Sequence, residues 1–129
     1  YFSQQGVARL VPQAGIDLPS EMPFPEQLVE AQKLMEEGDE RAAKVYRTIG
    51  VCFGSAIAHY HSFYDFERLL ILGRVTSGAG GETILEEAKN VLQLEFPDLA
   101  EQTAMHTPSE QDKRHGQAIA AASLAALNR

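Results

Sequence analysis

The 129-residue sequence predicts an α/β domain, rich in helix, with a small, incomplete and partly parallel sheet. Three observations carry this. Apolar residues recur at helical spacing in five segments. An apolar run from Arg68 to Gly73 shows no alternation, the pattern of a strand covered on both faces. A helical pattern follows that run and leads to a second short stretch, Ala104 to Thr107. Two strands joined in this way should form a right-handed parallel unit.

The elements follow in order. Phe2 to Val11 reads as a short helix with Val7, Leu10 and Val11 on one side. The proline-rich stretch PQAGIDLPSEMPFP is a loop into the next helix. Pro25 suits the first turn of that helix, where a missing N–H costs nothing. Leu28, Ala31, Leu34 and Met35 share its apolar face up to about Glu37, and Gly38 stops it. Asp39 then caps a long helix running from about Glu40 to Tyr60. Its expected apolar stripe is Val45, Ile49, Cys52, Phe53, Ala56 and Tyr60. Gly50 and Gly54 lie four apart within it, although a glycine costs about 1 kcal/mol in a helix interior. The pair implies another backbone packed very close. After the strand at 68–73 comes a glycine loop, then a helix from Thr83 to Glu95 with Ile84, Leu85, Ala88, Val91 and Leu92 facing one way. Pro97 marks its end. An alanine-rich helix is expected from about Lys113. There is no internal repeat or low-complexity tract. A buried parallel strand needs a neighbour on each edge. Either a third strand lies elsewhere in the chain, or sequence beyond it completes the sheet.

Composition bounds the function. Net charge is −7 with 44% hydrophobic and 22% charged residues, ordinary for a globular domain and opposite in sign to a nucleic-acid binder. The only basic cluster, Lys113-Arg114-His115, is too short for a footprint. No apolar run approaches the roughly 20 residues that cross a bilayer, and no basic-then-apolar signal segment opens the sequence. Cys52 is the single cysteine, so neither an internal disulfide nor a cysteine zinc site is available. A reducing, cytoplasmic setting is the expectation.

The loop GRVTSGAGG, at 73–81, carries the chemical interest. It lacks the G-x-G-x-x-G dinucleotide fingerprint, since Thr83 follows Gly78 and Gly80 where the third glycine belongs. It also lacks the phosphate-loop lysine, because Ala79 and Gly80 follow the glycine pair 73 and 78. Two readings remain open. Exposed N–H groups at the start of the next helix favour an anion, with Thr76, Ser77 and Arg74 as further donors. Alternatively, the glycines make a tight strand-to-helix turn at positive φ.

The segment AQKLMEEGDERAAKVYRTIGVCFGSAIAHYHSFYDFERLLILG resembles the C-terminal half of ROK-family sugar kinases and regulators, within the hexokinase, actin and heat-shock ATPase superfamily. Gly38, Asp39 and Ala42 match the motif that opens the family's long helix, and Phe53, Gly54, Ala56, Ile57 and Ala58 match its middle. Gly116, Gln117, Ala118, Ala121 and Ala122 stand where the family's last helix opens. The resemblance implies a helix-rich C-terminal domain of a ribonuclease-H-like, actin-like ATPase fold. It implies nucleotide contacts at Gly73, Arg74, Ser77, Gly78, Gly80, Gly81 and Gly116, with ATP and Mg²⁺ as cofactors of the whole protein. The implied partners are a missing N-terminal domain and a sugar substrate, with a homodimer an open option. Arg74 departs from the pattern, standing where the family has a second glycine. The family's N-terminal phosphate loop, general-base aspartate and zinc segment do not occur here. The fragment should therefore transfer no phosphoryl group alone.

Other constellations are weaker. His59 and His61, two apart on a helix, point different ways and suit an aromatic helix-end surface better than a metal. His106 and His115 suit capping or surface roles. Glu36, Glu37, Asp39 and Glu40 read as helix-end and cap residues, Asp65 and Glu67 as an acidic pair before the strand, and Cys52 as core. Two further function classes stand beside the kinase half. One is a non-catalytic sugar- or nucleotide-binding regulatory domain. The other is an interaction module using the last helix and the Gly50/Gly54 face.

Overall fold

The computed structural model describes residues 2–107 and 115. The chain opens with α1 (Gln4–Leu10), capped by Ser3, whose hydroxyl accepts from the Gly6 N–H at 3.2 Å. A 3₁₀ turn at Pro12–Ala14 and a loop lead to α2 (Phe24–Glu36), with proline in its first turn as the sequence requires. Gly38, at φ 80°, turns the chain out of α2. Asp39 caps α3 (Glu40–His61) by accepting from the Arg41 N–H at 2.8 Å. The Arg41 guanidinium and then its backbone N–H hold the Asp39 carboxyl down at about 2.

Next come β1 (Arg68–Leu70), a 3₁₀ turn at Arg74–Thr76, α4 (Gly78–Glu95), α5 (Pro97–Gln102) and β2 (Ala104–His106). The strands pair in parallel, with Arg68, Leu69 and Leu70 opposite Ala104, Met105 and His106. The Ile71 N–H donates to the His106 carbonyl, and the Ala104 N–H to the Glu67 carbonyl, each at 2.9 Å. The architecture is thus a helix-rich α/β arrangement with a two-stranded parallel sheet among the described residues. None of the described helices is long and apolar enough to cross a membrane.

The core is built around α3. One cluster gathers Val7, Val11, Ile16, Leu28, Ala31, Val45, Tyr46, Ile49, Val75 and Ile84, and a second gathers Ile57, Ala58 and Leu92. Phe53 packs against both. The tightest contact is between α3 and α4. A Cβ added at Gly50 would lie 2.8 Å from the Ile84 carbonyl oxygen, and one at Gly54 would lie 2.8 Å from that of Ala88. Partners advance together along both helices, so α3 and α4 run parallel with their backbones nearly touching. The close approach implied by the two glycines is present, and α4 is what approaches.

Three expectations need correction. The buried face of α3 runs through Tyr46, Gly50, Gly54, Ile57 and Ala58, while Cys52 and Ala56 are half-buried and Tyr60 is exposed. The stripe is rotated because the glycines form the contact line, and counting apolar side chains misses them. The strand is not covered on both faces: Leu70 is 61% and Leu72 44% exposed, with Ile71 buried between them. Its apolar run hides an alternation in burial, since no described layer covers its outer side. The helix expected from Thr83 begins at Gly78. Pro97 follows the end of α4 as expected, and it also opens α5, as Pro25 lies in the first turn of α2. The helix expected from Lys113 lies outside the described residues.

Candidate functional site

The segment from Leu69 to Gly81 leaves β1, turns, and enters α4. Gly73 sits at the turn with φ 124° and ψ 160°, a region open essentially to glycine alone. A Cβ placed on it would meet no atom of the described residues within 4 Å. The turn is fixed from within and from behind. The Thr76 hydroxyl donates to the Gly73 carbonyl at 2.9 Å, and the Gln32 side-chain amide of α2 donates to the Arg74 carbonyl at 3.0 Å.

The outer side of this turn forms one wall of a cleft of 610 Å³. Leu69 to Thr76 supply that wall, and Phe2, Phe24, Ile49, Phe53 and Ile84 the rest of its apolar lining. Phe2 meets Phe53 edge-to-face, with ring centroids 5.2 Å apart. The volume falls in the ~300–1,000 Å³ range typical of small-ligand sites, and the lining is predominantly apolar, as such sites are. Arg74 is the one charged residue lining it among the described residues.

The expected site residues divide. Gly73 and Arg74 line the cleft. Ser77, Gly78 and Gly80 line a separate depression of 120 Å³ together with Gln32 and Glu36. There a Glu36 carboxylate oxygen lies 3.7 Å from where a Gly78 Cβ would stand. The start of α4, where free N–H groups would welcome an anion, therefore already faces a carboxylate of this chain. Gly80 and Gly81 are buried in the first turn of α4 rather than exposed on a loop. A Cβ on Gly80 would overlap the Tyr46 ring, at 2.7 Å from its Cδ1, and one on Gly81 would overlap the Thr76 carbonyl. Both are glycine for helix packing. Gly116 lies outside the described residues.

Tyr46 is fully buried beneath Gly80, and its hydroxyl has no hydrogen-bond partner among the described residues. Burial pushes its ionisation above the ordinary tyrosine range. The remaining candidates stay apart from the cleft. His59 packs edge-to-face on Phe63, and His61 lies 3.7 Å from Asp65, forming the aromatic helix-end surface that the sequence suggested. Asp65 and Glu67 border a different depression with Arg68 and Gln102. No group of three metal-binding side chains exists among the described residues. Sequence reasoning missed Phe2, Phe24 and Glu36 as neighbours of the turn. Only the burial of Gly80 carried a usable signal, since helical spacing from Ile84 back to Gly80 extends the buried face of α4 into the supposed loop.

No protein-family model matches the chain, and neither a curated protein nor a solved structure does.

Proposed function

We propose that this chain is the nucleotide-cleft half of a ROK-like carbohydrate kinase, whose complete form moves the γ-phosphate of ATP to a sugar hydroxyl in the cytoplasm. Gly73 is the observation that carries the reading. Gly50, Gly54, Gly80 and Gly81 each have a neighbouring atom that excludes a side chain. Gly73 has none among the described residues, yet its backbone demands glycine, and it borders a cleft of small-ligand size. Such a position suits a ligand that must come up against the main chain. In this reading, base and ribose lie along residues 69–74, in the cleft that Phe2 and Phe24 also line. Mg²⁺ does not fit this cleft, since no carboxylate lines it among the described residues. The metal, the sugar and the general base would belong to a second domain.

The test is a titration of the isotope-labelled chain with adenosine and with a non-hydrolysable ATP analogue, followed by amide resonances. Shifts centred on residues 69–76 are expected, with millimolar affinity and loss in Gly73→Val. Unmoved resonances there at saturating ligand would overturn the reading, as would sugar phosphorylation by this chain alone.

Glu36 favours a second reading, a non-catalytic regulatory domain that binds a sugar or nucleotide. Its carboxylate at the start of α4 opposes a polyphosphate at that helix end. Calorimetry on the full-length protein separates the two: heat with sugar but none with ATP selects the regulator.

A further inference from the structure

We propose that the cleft recognises the first phosphate of a nucleoside phosphate through the Arg74 guanidinium, without a divalent cation and without the amino end of α4. The inference rests on the nucleotide reading above and adds where the anion sits. Three observations support it.

Arg74 is exposed and borders the cleft, and no carboxylate lies within ion-pair distance of it among the described residues. Arg41 and Arg47, by contrast, are engaged by Asp39 and Glu40. The chain carries 18 acidic residues and a net charge of −7, yet none of them lines the cleft among the described residues. A single uncompensated cation in an apolar concavity attracts an anion more strongly than one on open surface, because low-dielectric walls focus its field. The competing anion site, the start of α4, is faced by Glu36. A phosphate there would meet a like charge at close range.

Arg74 also directly follows Gly73, the point where backbone is open to approach. A nucleoside laid along residues 69–73 brings its 5′ substituent within reach of the next side chain. The planar guanidinium then offers a two-point donor fork to phosphate oxygens. Further phosphates would extend towards solvent or towards Glu36, and neither direction strengthens binding. The cleft thus prefers a nucleoside monophosphate over the bare nucleoside, and gains nothing from a triphosphate.

Calorimetry on the 129-residue chain tests this with adenosine, AMP and ATP, each in chelator and in Mg²⁺. AMP should bind about tenfold more tightly than adenosine, the size of one charge-assisted contact. ATP should bind no more tightly than AMP, and Mg²⁺ should not help. Added salt should erase the advantage of AMP and leave adenosine unchanged. Arg74→Ala should bring AMP down to the adenosine level, whereas Arg74→Lys should keep part of the gain. Adenosine binding with no gain from phosphate, or a gain that survives Arg74→Ala, would overturn this inference and leave the nucleotide reading intact. Magnesium-dependent tightening by ATP would overturn it too. Failure of all three ligands to bind would remove both.

Discussion

The α3–α4 seam and the turn at residue 73 use the same amino acid for opposite ends. At the seam, Gly50 and Gly54 have ordinary helical dihedral angles, and their missing side chains are replaced by the carbonyls of Ile84 and Ala88. At the turn, Gly73 has an extraordinary dihedral angle and empty space in front of it. One kind of glycine is required by its neighbours and the other by its own backbone. Only the second leaves main chain open to a ligand.

Substitution by alanine separates the two kinds, and the largest effect is expected at the seam. Gly54→Ala drives a methyl group into the Val91 Cβ, at 2.7 Å, and the Ala88 carbonyl, neither of which can swing aside. It should cost about 3 kcal/mol, the upper end of core overpacking, read as a lowered urea midpoint. Gly73→Ala meets no atom of the described residues and should cost about 1–2 kcal/mol through backbone strain. The reverse order would show that the seam has room to give.

A smaller effect of opposite sign is expected beneath the seam's amino end. Tyr46→Phe removes a buried hydroxyl that lacks a partner among the described residues and should stabilise by about 1 kcal/mol, seen as a rise in Tm. Loss of stability instead would mean that the hydroxyl is satisfied in solution.

The smallest effect concerns the cap of α3. The Asp39 carboxyl is depressed to about 2 by Arg41, so its contribution is fully present above the unfolded carboxylate range, near pH 4. It fades as pH falls through 2. Asp39→Asn should flatten the acid limb of the stability curve below pH 4, measured by denaturant titration at a series of pH values. An unchanged acid limb would rule out the Arg41 contact in solution.

Local signals proved readable where the physics is local. Pro25, Gly38 and Asp39 mark helix ends through missing donors, left-handed φ and side-chain capping, all properties of a few consecutive residues. Gly50 and Gly54 announced a close neighbour, because nothing else justifies two glycines mid-helix. Gly80 and Gly81 obey the same logic but look like loop formers until Tyr46 and Thr76 are seen against them. Exposure of Leu70 and Leu72 was hidden because an apolar letter does not say whether another layer lies over it. The cleft was least legible of all. Phe2 and Phe24 come to the cleft, and Glu36 to the start of α4, from far along the chain, and no spacing rule brings them there. Gly73 and Arg74 were visible as a pair, but only the three-dimensional arrangement separates them from Ser77 to Gly81.

The amide of Gln32 grips the carbonyl of Arg74 from the far side, while Thr76 ties the same bend to itself. The lip of the hollow is therefore already set before any guest arrives. Little motional freedom is left for binding to quench, and whatever docks there meets a fixed edge anchored in a neighbouring helix.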